Sequence, residues 1–90
     1  MAKKITAEDK KELYRLLVSL SNEQECESLL EDLCTIREVE QMAERVRAAK
    51  MLALGKTYTE IINETDISSA TLSRISRSLQ YGSGYSKFLK

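Results

Sequence analysis

Ser69, Ala70, Ser73, Ser76 and Arg77 fall on one side of a stretch whose other side carries Leu72 and Ile75. Small or hydrogen-bonding groups at that spacing let a helix enter a major groove closely and reach base edges and phosphates, whereas bulky side chains would hold it off. The supporting frame is residues 57–79, TYTEIINETDISSATLSRISRSL. Apolar groups at Tyr58, Ile61, Ile62 and Thr65 (through its methyl) recur at i, i+3, i+4 and i+7. Ile67 fills the corner, and Leu72 and Ile75 press a second short helix onto the first. Thr57 and Glu60 make a T-x-x-E capping box, and Ser68 caps the second helix after a turn over residues 65–67. Asp66 occupies the tight turn, where glycine is common because the backbone there often takes positive φ. The pattern predicts a helix-turn-helix whose second helix reads DNA. The competing reading is an amphipathic helical hairpin that serves only an all-α core.

The elements that must hold this motif lie before it. Residues 1–5 read as a loose basic tail. Thr6, with Asp9, caps a helix whose stripe is Leu13, Leu16, Leu17 and Leu20, supplemented by Tyr14. Ser21 with Gln24 opens a second helix with Cys26, Leu29, Leu30 and Leu33 on one face. Thr35 with Glu38 opens the third and longest, in which Ile36, Val39, Met42, Ala43, Val46, Ala49 and Ala53 run to a stop at Gly55. Ala43, Ala48, Ala49 and Ala53 let another helix cross closely, while Met51, Leu52 and Leu54 widen the apolar surface. The 90-residue chain has no proline and three glycines, and no strand pattern competes, so the expected fold is all-α, a single domain over residues 1–90. Residues 6–55 carry more apolar stripe than so small a domain can hide. An interlocked homodimer removes the excess, and its two-fold axis presents two reading helices to successive major grooves about 34 Å apart. A compact monomer is the alternative. Residues 80–90, QYGSGYSKFLK, read as a fraying tail with at most a short helix through Tyr85, Phe88 and Leu89.

Lys plus Arg and Asp plus Glu both number 14, so the formal net charge is zero. The total hides a split. Residues 1–44 hold six basic and eleven acidic side chains, residues 45–90 hold eight and three, and none is acidic after Asp66. A basic half suits phosphate neutralisation, and an acidic half faces away from DNA. The sequence contains no histidine, and Cys26 and Cys34 alone assemble neither a zinc site nor a Cys/His nucleophile. Both read as reduced, buried thiols. With no glycine-rich phosphate loop, and with Glu60 and Glu64 serving a cap and a solvated face, no enzyme, metal or cofactor is expected. The amino terminus lacks an apolar signal core and no apolar run reaches membrane length, so the expected location is the cytoplasm.

The segments ERVRAAKMLALGKTYTEI and SSATLSRISRSL, and more broadly LCTIREVEQMAERVRAAKMLALGKTYTEIINETDISSATLSRISRSL, resemble the core of the Trp repressor family, nearest to its TrpR-like YerC/YecD group. The resemblance extends weakly through the first helix. It implies an intertwined all-helical dimer on a palindromic double-stranded DNA operator. It also implies DNA contacts from Thr59 and Ile62 in the first helix of the motif and from Ser68, Ser69, Ala70 and Ser73 in the second. Thr59 and Ile62 stand where the tryptophan repressor has basic residues, so the operator should differ, and Arg77 adds a contact outside that pattern. For a small ligand, Arg45 and Arg74 match the family's two arginines, Ser78 its serine, and Thr35 and Thr71 its threonines. Ile75 stands in place of the glycine that makes room for an indole, and Asp32 in place of an apolar wall. The resemblance therefore implies a regulator, a repressor that does not respond to tryptophan, with a helical interaction module that has lost DNA binding as the alternative.

Overall fold

The computed structural model describes residues 3–89, and every element among them is helical. The chain forms two compact units, Met1–Thr35 and Ile36–Lys90.

The first unit contains α1 (Ala7–Val18) and α2 (Glu23–Leu33). Thr6 caps α1 with the expected box: the Asp9 N–H donates to Thr6 Oγ1 at 3.1 Å, and the Thr6 N–H donates to Asp9 Oδ2 at 2.9 Å. The Thr6 N–H, together with the Thr6 hydroxyl that donates to the same Oδ2 at 2.9 Å, draws the Asp9 carboxyl below its ordinary pKa. The start of α2 differs from expectation. Asn22, not Ser21, is the cap, its Oδ1 accepting the Glu25 N–H at 2.9 Å, while Ser21 donates its own N–H to the Glu25 carboxylate at 2.8 Å. Asn is among the preferred caps because its short side-chain oxygen reaches the third helical amide. Neither helix contains a buried residue. Leu13, Leu16 and Leu17 stay between 39 and 44% exposed, and Cys26 and Cys34 are half-buried free thiols, not the buried pair expected.

The second unit contains α3 (Ile36–Ala53), α4 (Tyr58–Glu64), α5 (Ser69–Tyr81) and α6 (Tyr85–Phe88). Gly55 ends α3 as the spacing predicts. At φ 89° it lets the Lys56 N–H reach the Met51 carbonyl at 3.0 Å while its own N–H reaches that of Leu52 at 3.0 Å, the paired bonds of a Schellman turn. Ala48 and Ala49, fully buried, form one wall of a core completed by Met51, Ile61, Ile67, Leu72 and Ile75. Two adjacent alanines bring the α3 backbone close to the motif, which larger residues would prevent. Tyr58, placed on the apolar stripe by its spacing, remains 40% exposed, because α4 has seven residues and one turn of it covers the core.

The carboxy-terminal segment is more ordered than its glycines and serines suggest. Helix α5 runs past Leu79 to Tyr81, and α6 follows, with Tyr85 and Leu89 packed against the core. Gly82 makes the junction for a steric reason. Its backbone is ordinary, φ −85° and ψ 173°, but a Cβ there would lie 2.6 Å from the Ser78 carbonyl oxygen.

Candidate nucleic-acid interface and the adjoining pocket

Thr57 starts α4 by accepting the Glu60 N–H at 3.2 Å, and its hydroxyl returns a hydrogen to Glu60 Oε1, also at 3.2 Å. The chain then turns through Thr65, Asp66 and Ile67 with no positive φ among the described non-glycine residues, so Asp66 is not under the strain its position suggested. The turn is held by hydrogen bonds instead. The Thr65 N–H and hydroxyl both donate to the Ile61 carbonyl, at 3.0 and 2.7 Å, and Thr65 Oγ1 accepts the Ile67 N–H at 3.3 Å. Asp66 donates its N–H to Glu44 Oε1 on α3 at 3.2 Å. Ser68 caps α5, accepting the Thr71 N–H at 3.2 Å.

This scaffold leaves Thr59, Ile62, Ser68, Ser69, Ala70, Ser73 and Arg77 all exposed. Ile61 takes the core position with no exposure, and Ile62 stays 39% exposed on the surface. Ser76, counted on the outward face by spacing, is half-buried. The first turn of α5 contains no acidic residue, so the partial positive charge of its amides meets no competing carboxylate on that turn.

Between α3 and α5 lies a pocket of about 260 Å³ lined by Arg45, Thr71, Arg74, Ile75, Ser78 and Tyr85. Four of the five ligand residues expected from sequence thus share one cavity. Thr35 belongs to the first unit, as does Asp32. Arg45 and Arg74 are exposed and make no ion pair with another described residue. Two guanidiniums and the hydroxyls of Thr71, Ser78 and Tyr85 can receive a carboxylate or phosphate. Ile75, 3% exposed, belongs to the core and to the pocket wall at once. Tyr85 was missed as a lining residue. Its signal was the i, i+3, i+4 set Tyr85, Phe88 and Leu89, hidden by glycines that read as fraying. Among the described residues no group of three or more His, Cys, Asp or Glu is placed to hold a metal ion, and no helix is long and apolar enough to cross a membrane.

The sequence profile of the Trp repressor protein family matches residues 8–90. The chain belongs to the Trp repressor family. An uncharacterised Bacillus subtilis protein, YerC, is 40% identical over 79 residues, covering 88% of this chain and 76% of its own. A crystal structure of a candidate Trp repressor from Staphylococcus aureus superposes with a TM-score of 0.81 at 38% identity, over 90% of this chain and 82% of that one. A TrpR-like protein from Eubacterium eligens superposes with a TM-score of 0.79 at 39% identity, over 90% and 84%. These structures share the all-helical Trp repressor fold with the chain described above.

Proposed function

We propose that the protein is a homodimeric, sequence-specific DNA-binding transcriptional regulator, a repressor in the cytoplasm, that reads a palindromic operator with α5 and is not tryptophan-responsive. The observation that carries this reading is the outward face of α5 in a chain of this family. Ser69, Ala70, Ser73 and Arg77 are exposed together on a helix capped and braced from behind, with no acidic side chain anywhere after Asp66. Hydroxyls and one guanidinium at that face contact base edges and phosphates. The homodimer is supported by α1 and α2, in which no residue is fully buried within one chain despite their leucine stripes. Ile75 supports the exclusion of tryptophan, since its side chain takes volume an indole needs. No enzymatic role is proposed, because among the described residues no hydroxyl lining the clefts of the second unit is hydrogen-bonded to a carboxylate there.

One observation favours the alternative of an interaction module that has lost DNA binding: Thr59 and Ile62 put no cation on the outward side of α4. The deciding experiment is selection of bound fragments from random-sequence duplex DNA, followed by a salt titration on the recovered duplex. A regulator yields a palindromic consensus and an affinity that falls as salt rises, whereas an interaction module yields neither.

A further inference from the structure

The turn that sets the angle between α4 and α5 has three amide hydrogens to satisfy, at Thr65, Asp66 and Ile67. The outer two are satisfied inside the motif, by the Ile61 carbonyl and the Thr65 hydroxyl. The middle one is satisfied from outside it, by Glu44 Oε1 at 3.2 Å, a hydrogen bond spanning 22 residues. Glu44 is placed for this by register: it lies one helical turn before Ala48, whose fully buried methyl sets the contact of α3 with the motif. The carboxylate stands at a cleft of about 540 Å³ whose lining also includes Arg37, Glu40, Arg45 and Asp66. A third acid there gains nothing by charge alone, with Glu40 and Asp66 already present. What Glu44 supplies is an acceptor at a fixed distance from the turn.

We propose that Glu44 is a positioning residue for the DNA-reading helix: its carboxylate tethers the Asp66 amide to α3 and so fixes the pose in which α5 meets the groove. The proposal rests on the reading that α5 binds DNA, and it makes a prediction opposite in sign to simple electrostatics. Removing an acidic side chain from a DNA-binding protein ordinarily strengthens binding, because repulsion of phosphates is relieved. Here Glu44→Ala weakens it.

The test uses the full chain with Glu44 changed to Ala, Asp or Gln, and two measurements: amide hydrogen exchange at Asp66, and affinity for the duplex that the unmodified protein selects from random-sequence DNA. Glu44→Ala and the shorter Glu44→Asp speed exchange at Asp66 and weaken duplex binding about tenfold, the scale of a lost hydrogen bond to a charged acceptor. Glu44→Gln keeps an acceptor oxygen at the same reach. It retains slow exchange and binds at least as tightly as the parent, although it has lost the charge. The slope of affinity against salt stays constant across the series, since Glu44 touches no phosphate. If exchange at Asp66 is unchanged in Glu44→Ala, there is no tether, whatever DNA does. If exchange quickens while duplex affinity holds, or if Glu44→Asp behaves as the parent and Glu44→Gln as the alanine variant, the positioning role is overturned. If the unmodified protein selects no duplex, the DNA reading fails and the positioning role with it, while the exchange data still report the hydrogen bond itself.

Discussion

Ile75 on α5 and Tyr85 on α6 join the same core and line the same small pocket, so the wall opposite the two arginines is also part of what holds the second unit together. A ligand site built this way cannot be reshaped without a stability cost.

That coupling sets the expectation for tryptophan. L-tryptophan at millimolar concentration leaves the melting temperature unchanged. A ligand binding only the folded protein at 100 times its Kd would add about 2.7 kcal/mol per site, readily seen by scanning calorimetry. Ile75→Gly loses roughly 3 kcal/mol through the missing side chain and the freer chain. A thermal shift with tryptophan in the unmodified protein would restore Arg45, Arg74 and Ser78 as a working corepressor site.

If the outward face of α5 reads DNA as proposed, Ser73→Glu and Arg77→Ala each weaken binding to the selected duplex by about tenfold, and helicity by circular dichroism is unchanged because both side chains are exposed. Glutamate sets a like charge against phosphate, and the alanine variant removes a cation. Parental affinity in both variants would misplace the face.

The leucine stripes of the first unit predict that the protein sediments as a homodimer at micromolar concentration and that its melting temperature rises with concentration. Leu17→Lys yields a poorly folded chain instead of a clean monomer, because an interlocked interface doubles as core. A well-folded monomer at that concentration contradicts this.

At the start of α1 the Asp9 carboxyl, held by the Thr6 N–H and hydroxyl, titrates below its ordinary value of 3.8. Its folded pKa is depressed, so the cap contributes fully above the ordinary value and loses its contribution as pH falls through the folded one. An NMR titration of the Asp9 carboxyl checks this, and Thr6→Ala returns the midpoint toward the ordinary value.

The helices were legible in the sequence because their ends are written in local chemistry: Thr6 with Asp9, Thr57 with Glu60, Ser68, and Gly55 at positive φ. Each is a contact of three to five residues along the chain, and such contacts follow from spacing. The errors came where a neighbour in space decides. Asn22, not Ser21, became the cap, and the Ser21 N–H instead donates to the Glu25 carboxylate. Ile61, not Ile62, entered the core because a single residue's rotation on a seven-residue helix depends on what it packs against. Tyr85 joined the pocket and Glu44 reached Asp66 across spans that no periodicity encodes. Arg45, Thr71, Arg74 and Ser78, which line one cavity, were grouped through family resemblance, since no spacing rule relates Arg45 to Arg74.

Gly82 has an evolutionary consequence. Most core positions can drift by single methyl groups, as Ile75 can through valine, with neighbours relaxing step by step. Gly82 cannot, because the atom any Cβ meets is the backbone oxygen of Ser78, which has no rotamer to yield. A lineage that replaces this glycine must rebuild the last turn of α5 and the seating of Tyr85 in the same event. The end of α5 and the back wall of the pocket are therefore inherited together.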